Sequence, residues 1–219
     1  MSRRGDPRRF LAILVIGLAP IVAAGAAAYA QPRRQDAVAR TTIGSGGPLA
    51  ECNAAAGAGT VTDAGLAACT RAIERGRLAR PDLATTHVNR GVLHLRRRAG
   101  EAALADFDAA LAINAEFAEA HLNRGAALVL LHQPGPAVAA ITQALGFGVR
   151  EPHKAYFNRG AAREALGDLR GAYEDYSTAL EIEPNWDPAE AELQRFVRAR
   201  REHLAQVIGV NDPGAQAQP

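Results

Sequence analysis

An all-α fold, an α-solenoid of antiparallel helix pairs, is predicted for this 219-residue chain by three observations. Asn89-Arg90-Gly91, Asn123-Arg124-Gly125 and Asn158-Arg159-Gly160 repeat one tripeptide at spacings of 34 and 35 residues, a period that implies stacked repeats. Fixed columns follow each glycine: Ala103, Ala137 and Ala172 twelve residues on, Phe107, Ile141 and Tyr176 at sixteen, and Ala110, Ala144 and Ala179 at nineteen, with Leu111, Leu145 and Leu180 directly after. Aromatic residues make up only 5% of the chain while alanine, leucine and arginine recur, which favours helices packed through small side chains over a sheet.

The N-terminus carries a different signal. Arg3, Arg4, Arg8 and Arg9 precede an uncharged stretch from Phe10 to Ala30 ending Ala28-Tyr29-Ala30, the layout of a secretory signal peptide, so residues 1–30 are expected to be cleaved off after Ala30. The same stretch is long enough to span a bilayer, which leaves an uncleaved inner-membrane anchor as the alternative. In both cases the folded part is expected in the periplasm. Four arginines and one aspartate leave with the signal, so the net charge of +2 becomes 21 basic against 22 acidic residues, or −1. A near-neutral mature chain gives no basic face for nucleic acid, and Arg96-Arg97-Arg98 reads as a solvated turn.

Residues 31–47 are polar and glycine-rich, ending Gly44-Ser45-Gly46-Gly47, and are expected to form a flexible linker. The helical domain spans 48–209: a degenerate leading repeat at 48–80, full repeats at 84–117, 118–152 and 153–186, and a capping helix at 188–208. Repeat three is the most regular, with Gly167-Asp168 at its turn and Pro184-Asn185 at its end. Repeat two carries Pro134-Gly135-Pro136 and Gly146-Phe147-Gly148, where local flexibility is expected. In the cap, Asp187 is placed to accept helix N-terminal amides, Pro188 suits the first helical position, and Leu193, Phe196, Val197, Leu204, Val207 and Ile208 form one apolar face. Residues 210–219 are expected to be a disordered tail.

The repeat pattern resembles the tetratricopeptide repeat (TPR) family over about half of the chain, and the export signal makes it similar to exported bacterial members. The resemblance implies small residues where paired helices cross and larger ones at Phe107, Ile141 and Tyr176 filling the space between them. It also implies a concave groove lined by the first helix of each pair.

The same offsets, applied upstream, place Gly65, Cys69, Ala72 and Ile73 in the second-helix columns of the leading repeat, with Cys52 in the column just before the glycine. The residue before the glycine column and the residue sixteen after that column are expected to face each other. With two cysteines in the chain and an oxidising compartment, this predicts a Cys52–Cys69 disulfide. Its first helix, broken by Gly57 and Gly59, is expected to run only from Pro48 to Ala56, and the bridge to compensate for it. The alternative, a catalytic redox pair, usually has Cys-x-x-Cys spacing.

Six histidines lack ligand spacing for a metal: His87 and His121 share the column of Tyr156, and His94 shares that of Arg163. No metal and no cofactor are expected. Glu51, Glu116, Glu119 and Glu164 read as exposed acids, and no phosphate-binding loop or nucleophile motif is present, so the chain is expected to be non-catalytic. The groove candidates are Val88, Asn89 and Val92 in repeat one, Leu122, Asn123 and Ala126 in repeat two, and Phe157, Asn158 and Ala161 in repeat three. An asparagine offers a donor and an acceptor, so the column Asn89, Asn123 and Asn158 is suited to the backbone of an extended peptide, as the resemblance implies. The competing role is bonding to neighbouring helices. Arg90 and Arg159 are expected to pair with Asp106 and Asp175 sixteen residues later, whereas Arg124 meets Ala139 and Ala140 there. A paired-lysine clamp for a terminal carboxylate is not expected, Lys154 standing alone. The reading is a scaffold binding a protein or peptide partner in the bacterial envelope, touching the membrane only through an uncleaved N-terminus. A self-associating structural module is the alternative, and an envelope hydrolase has no motif behind it.

Overall fold

The computed structural model describes residues 47–58 and 60–208, with side chains described as far as residue 202. The expected signal, nearly all of the linker, the tail, and the side chains of Leu204, Val207 and Ile208 lie outside the described residues.

Nine helices and no strand are found among the described residues. The leading pair is α1 (Pro48–Gly57) and α2 (Asp63–Glu74); the three full pairs are α3 (Arg80–Arg96) with α4 (Gly100–Ile113), α5 (Ala118–Leu130) with α6 (Pro134–Gly146), and α7 (Pro152–Ala165) with α8 (Leu169–Ile182). The cap is α9 (Asp187–Ile208). Each pair packs on itself and on the next, and first helices also touch first helices across α3, α5 and α7. The fold is a tetratricopeptide-type α-solenoid. No helix of the described residues is long and apolar enough to cross a membrane.

Local chemistry sets the helix ends. Proline occupies one of the first two positions of α1, α3, α6 and α7, where its missing N–H is not needed. Thr62 and Asp168 accept the N–H of Gly65 and Gly171 at 3.1 and 2.9 Å, capping α2 and α8. The three full first helices end on left-handed residues seven places after the glycine column: Arg98 (φ 61°), His132 (φ 58°) and Gly167 (φ 83°).

The repeat columns do what their sizes suggest. A Cβ added to Gly91 would lie 2.6 Å from the Phe107 ring, and one on Gly160 would lie 2.9 Å from Tyr176. Phe107, Ile141 and Tyr176 are fully buried, with Ala103, Ala137 and Ala172 beside them.

Some boundaries differ from the sequence expectation. The first helix of repeat one begins at Arg80, four residues early, because Pro81 starts it. Within Pro134-Gly135-Pro136, Pro134 opens a regular helix. Asp187 is the first residue of α9 and not its cap: the Trp186 carbonyl accepts from Ala189 and Glu190 N–H at 3.1 and 3.2 Å. Leu193 and Phe196 pack on the Phe157–Tyr176 cluster, but Val197 is 43% exposed, one position off the packing stripe. Glu119 and Glu164 are not exposed acids. Their side chains are 12% and 11% exposed, paired with Arg150 and with Arg195 of the cap.

Candidate functional site

The disulfide joins Cys52 to Cys69 with a Cα–Cα distance of 4.6 Å, and both residues are fully buried. The pairing is as expected, but the register of α1 is not. A Cβ on Gly65 would meet Cβ of Ala55 at 2.6 Å, whereas in the full repeats the alanine column, represented by Ala137 and Ala172, abuts Gly125 and Gly160. Ala55 therefore holds the glycine column of the leading unit, two residues later than the offsets place it, because the α1–α2 connection is shorter. Cys52 then stands three residues before that column, where repeat three has Phe157. Phe157 and Tyr176 touch with ring centroids 5.3 Å apart, and Cys52 and Cys69 are the same pair of positions rendered as a covalent link.

This register puts Asn53 in the asparagine column, a residue that sequence reasoning passed over. It accepts a hydrogen bond from Asn89 Nδ2 at 2.8 Å. The available signal was its spacing of 36 residues from Asn89, close to the repeat period. The column thus has four members, Asn53, Asn89, Asn123 and Asn158, on four consecutive first helices.

The nine residues expected to line an open groove are brought together on the first helices, but each is at most 3% exposed. Second helices cover several of them: Val88 and Val92 cluster with Ala103 and Phe107, Leu122 with Ile141 and Ala144, and Phe157 with Tyr176. Asn89 is engaged by Asn53, and Asn123 donates to the Glu119 carbonyl of its own helix at 2.8 Å. Asn158 differs: its Oδ1 is buried with no hydrogen-bond partner among the described residues. An unpaired buried acceptor is destabilising by about 1–3 kcal/mol. Lys154 is also buried and pairs with Glu151.

The arginine column is structural. Arg90 forks onto Asp106, with nitrogen–oxygen distances of 2.7 and 2.9 Å, and Arg159 onto Asp175 at 2.8 and 3.0 Å. Each also reaches the preceding unit at the residue after the large-side-chain column: Arg90 donates to Thr70 Oγ1 at 3.2 Å and Arg159 to Thr142 Oγ1 at 3.4 Å. Arg124, with no aspartate in its own unit, pairs with Asp108 of the preceding one at 2.7 Å, at that same column.

Asp106 is buried among His87 (Nδ1 at 2.9 Å), Arg90 and His94 (3.9 Å). Burial alone would raise its pKa; hydrogen bonds from His87 and Arg90, with the charge of Arg90, prevail and hold the carboxyl below the ordinary range. Burial lowers His94. In repeat three Arg163 takes the place of His94 and contacts Asp175 at 3.0 Å. Burial, aided by Glu164, raises the Tyr176 phenol. His121 bonds the Ala115 carbonyl at 2.8 Å and stacks on Phe147. Among the described residues no group of three or more histidines, cysteines or acids is placed to hold a metal.

Beside Asn53 opens a cleft of about 470 Å³. Its walls are Leu49 and Asn53 of α1, the start of α3 from Arg80 to Thr85, and the α4–α5 corner at Ile113, Asn114 and Phe117. The Arg80 guanidinium donates to the Ile113 carbonyl at 3.0 Å, joining two of these walls.

Residues 153–185 match the tetratricopeptide repeat family model. A 43-residue stretch is 55% identical to RNA polymerase II-associated protein 3 of Xenopus tropicalis; the match is 20% of this chain and spans only 6% of that relative. The fold resembles the first TPR of Spaghetti (RPAP3) bound to the HSP90 peptide SRMEEVD, with TM-score 0.51 and 28% identity over 54% of this chain and 93% of that one. It also resembles the TPR domain of Arabidopsis OM64, with TM-score 0.51 and 26% identity over 53% of this chain and 96% of that one.

Proposed function

We propose that this chain is a non-catalytic scaffold that binds an extended segment of another protein along its first helices, in the bacterial cell envelope. The observation carrying this reading is the likeness to a repeat domain bound to a peptide, over nearly all of that domain. The asparagine column supports it. Asn158 has an acceptor that gains a partner when a guest backbone supplies an N–H, and Asn123 can exchange its internal bond for a guest carbonyl. The periplasmic setting rests on the signal-like first thirty residues and is consistent with the bridge.

The test is replacement of Asn89, Asn123 and Asn158 by alanine in the full chain, with circular dichroism to establish that the helices persist. Partners cross-linked to the native chain in cells should be lost from the variant. Capture of the same partners by a folded variant overturns the reading.

A second reading, a self-associating module, is favoured by one surface: Leu166 and Leu169 at 55% exposure, with Tyr173 and Val197 nearby in the C-terminal units. Light scattering separates the two, a monomer favouring the scaffold.

A further inference from the structure

We infer that the cleft between α1, the start of α3 and the α4–α5 corner is a side-chain pocket that receives an uncharged apolar residue of an extended guest segment, a site that deepens the scaffold reading and rests on it. Its volume of about 470 Å³ is within the range of pockets that enclose a small ligand. Leu49, Pro81, Ala84, Ile113 and Phe117 give its lining an apolar share, beside polar Asn53, Thr85 and Asn114. Its two charged lining residues, Arg80 and Asp82, have opposite sign and leave no net charge to hold a charged guest side chain, and the Arg80 guanidinium is already bonded to the Ile113 carbonyl.

Asn53 gives the pocket its orientation. Its Oδ1 takes the bond from Asn89, so the groups it has to offer a guest are amide N–H donors, suited to a backbone carbonyl. A guest residue with its carbonyl at Asn53 and its side chain toward Phe117 lies at the leading end of the asparagine column. The same contact explains why a stunted leading unit is held so firmly. One wall of the pocket belongs to α1, and Cys52, bridged to Cys69, is the immediate neighbour of Asn53.

The probes are blocked amino acids, which carry a side chain between two peptide units: N-acetyl-leucinamide, N-acetyl-phenylalaninamide, N-acetyl-serinamide and the α-amide of N-acetyl-glutamic acid. Saturation-transfer NMR on the full chain should show transfer to the leucine and phenylalanine probes and none to the other two. Thr85→Trp, which fills the cleft, and Leu49→Arg, which charges its wall, should each abolish transfer while circular dichroism is unchanged. Equal transfer to all four probes, no transfer to any, or transfer that survives in both folded variants overturns the pocket. Loss of the pocket with partner capture still dependent on Asn89, Asn123 and Asn158 would refute this inference alone and leave the scaffold standing.

Discussion

Cys52 is bonded to Cys69 across α1 and α2 at the two positions that Phe157 and Tyr176 fill in the last full repeat. Around the bridge the leading unit has little else to bury: Leu93 from α3, with Ala55, Val61 and Leu66 partly covered. A ten-residue helix packed mainly through alanines is marginal without a covalent tie. Replacing both cysteines by alanine should therefore lower stability by about 2–4 kcal/mol. Hydrogen exchange is expected to show protection lost first in α1 and α2 while α5 to α8 keep theirs. Unchanged exchange in α1 and α2 would contradict this role for the bridge.

Asp106 ties two helices through three partners. Because its carboxyl is held below its unfolded value, the stabilisation is fully present above about pH 4 and is lost as pH falls through the depressed folded value. Asp106→Asn leaves Arg90 and His87 facing a neutral amide and should lower stability by about 2–3 kcal/mol at pH 7. Its thermal melts should also depend less on acid than those of the native chain. Parallel acid profiles would show that another carboxylate dominates.

At the helix crossing, Gly91→Leu drives a side chain into the Phe107 ring. Overpacking of this kind lowers stability by about 1–3 kcal/mol, readable in a urea melt, whereas Gly57→Ala, with open space around it, should change little.

Arg98 and His132 hold left-handed conformations that Gly167 adopts without strain at the same column. Both are exposed, so no packing is lost when they change. Arg98→Gly and His132→Gly should each raise stability by about 0.5 kcal/mol, the relief of strain exceeding the gain in unfolded-chain freedom, and Gly167→Ala should lower it by about 1 kcal/mol. A fall in melting temperature for both glycine variants would count against this.

Asn158→Leu removes the unpaired Oδ1 and should raise the melting temperature by a few degrees while weakening partner capture. Loss of both stability and capture would mean that the side chain is held by an interaction its surroundings do not show.

Columns that recur in the full repeats were legible in the sequence because their function depends on size alone: Gly91 against Phe107, Gly160 against Tyr176. The Arg90–Asp106 and Arg159–Asp175 pairs were legible for the same reason, as fixed offsets within a unit. Contacts between units were not. Arg124 finds Asp108 on the preceding helix pair, and Asn53 enters the column only because a short connection shifts α1 by two residues. The concealment of the nine inner residues was illegible for a related reason, since it depends on how the second helices pack over them, as Ile141 does on Leu122 and Tyr176 on Phe157, and not on any single helix. Val197 shows the limit within one helix, where a residue beside Phe196 faces water.

The arginine that leans back onto the unit before it appears at every junction, from Arg90 on Thr70 through Arg124 on Asp108 to Arg159 on Thr142. Such a clasp makes the array modular: a copied repeat inserted between two others would present an arginine to the unit ahead and a receptor to the one behind. Growth or shrinkage of the protein by whole repeats then leaves each clasp intact, and the clasp onto Asp108, a charge pair, should slacken more in strong salt than the two onto threonine hydroxyls.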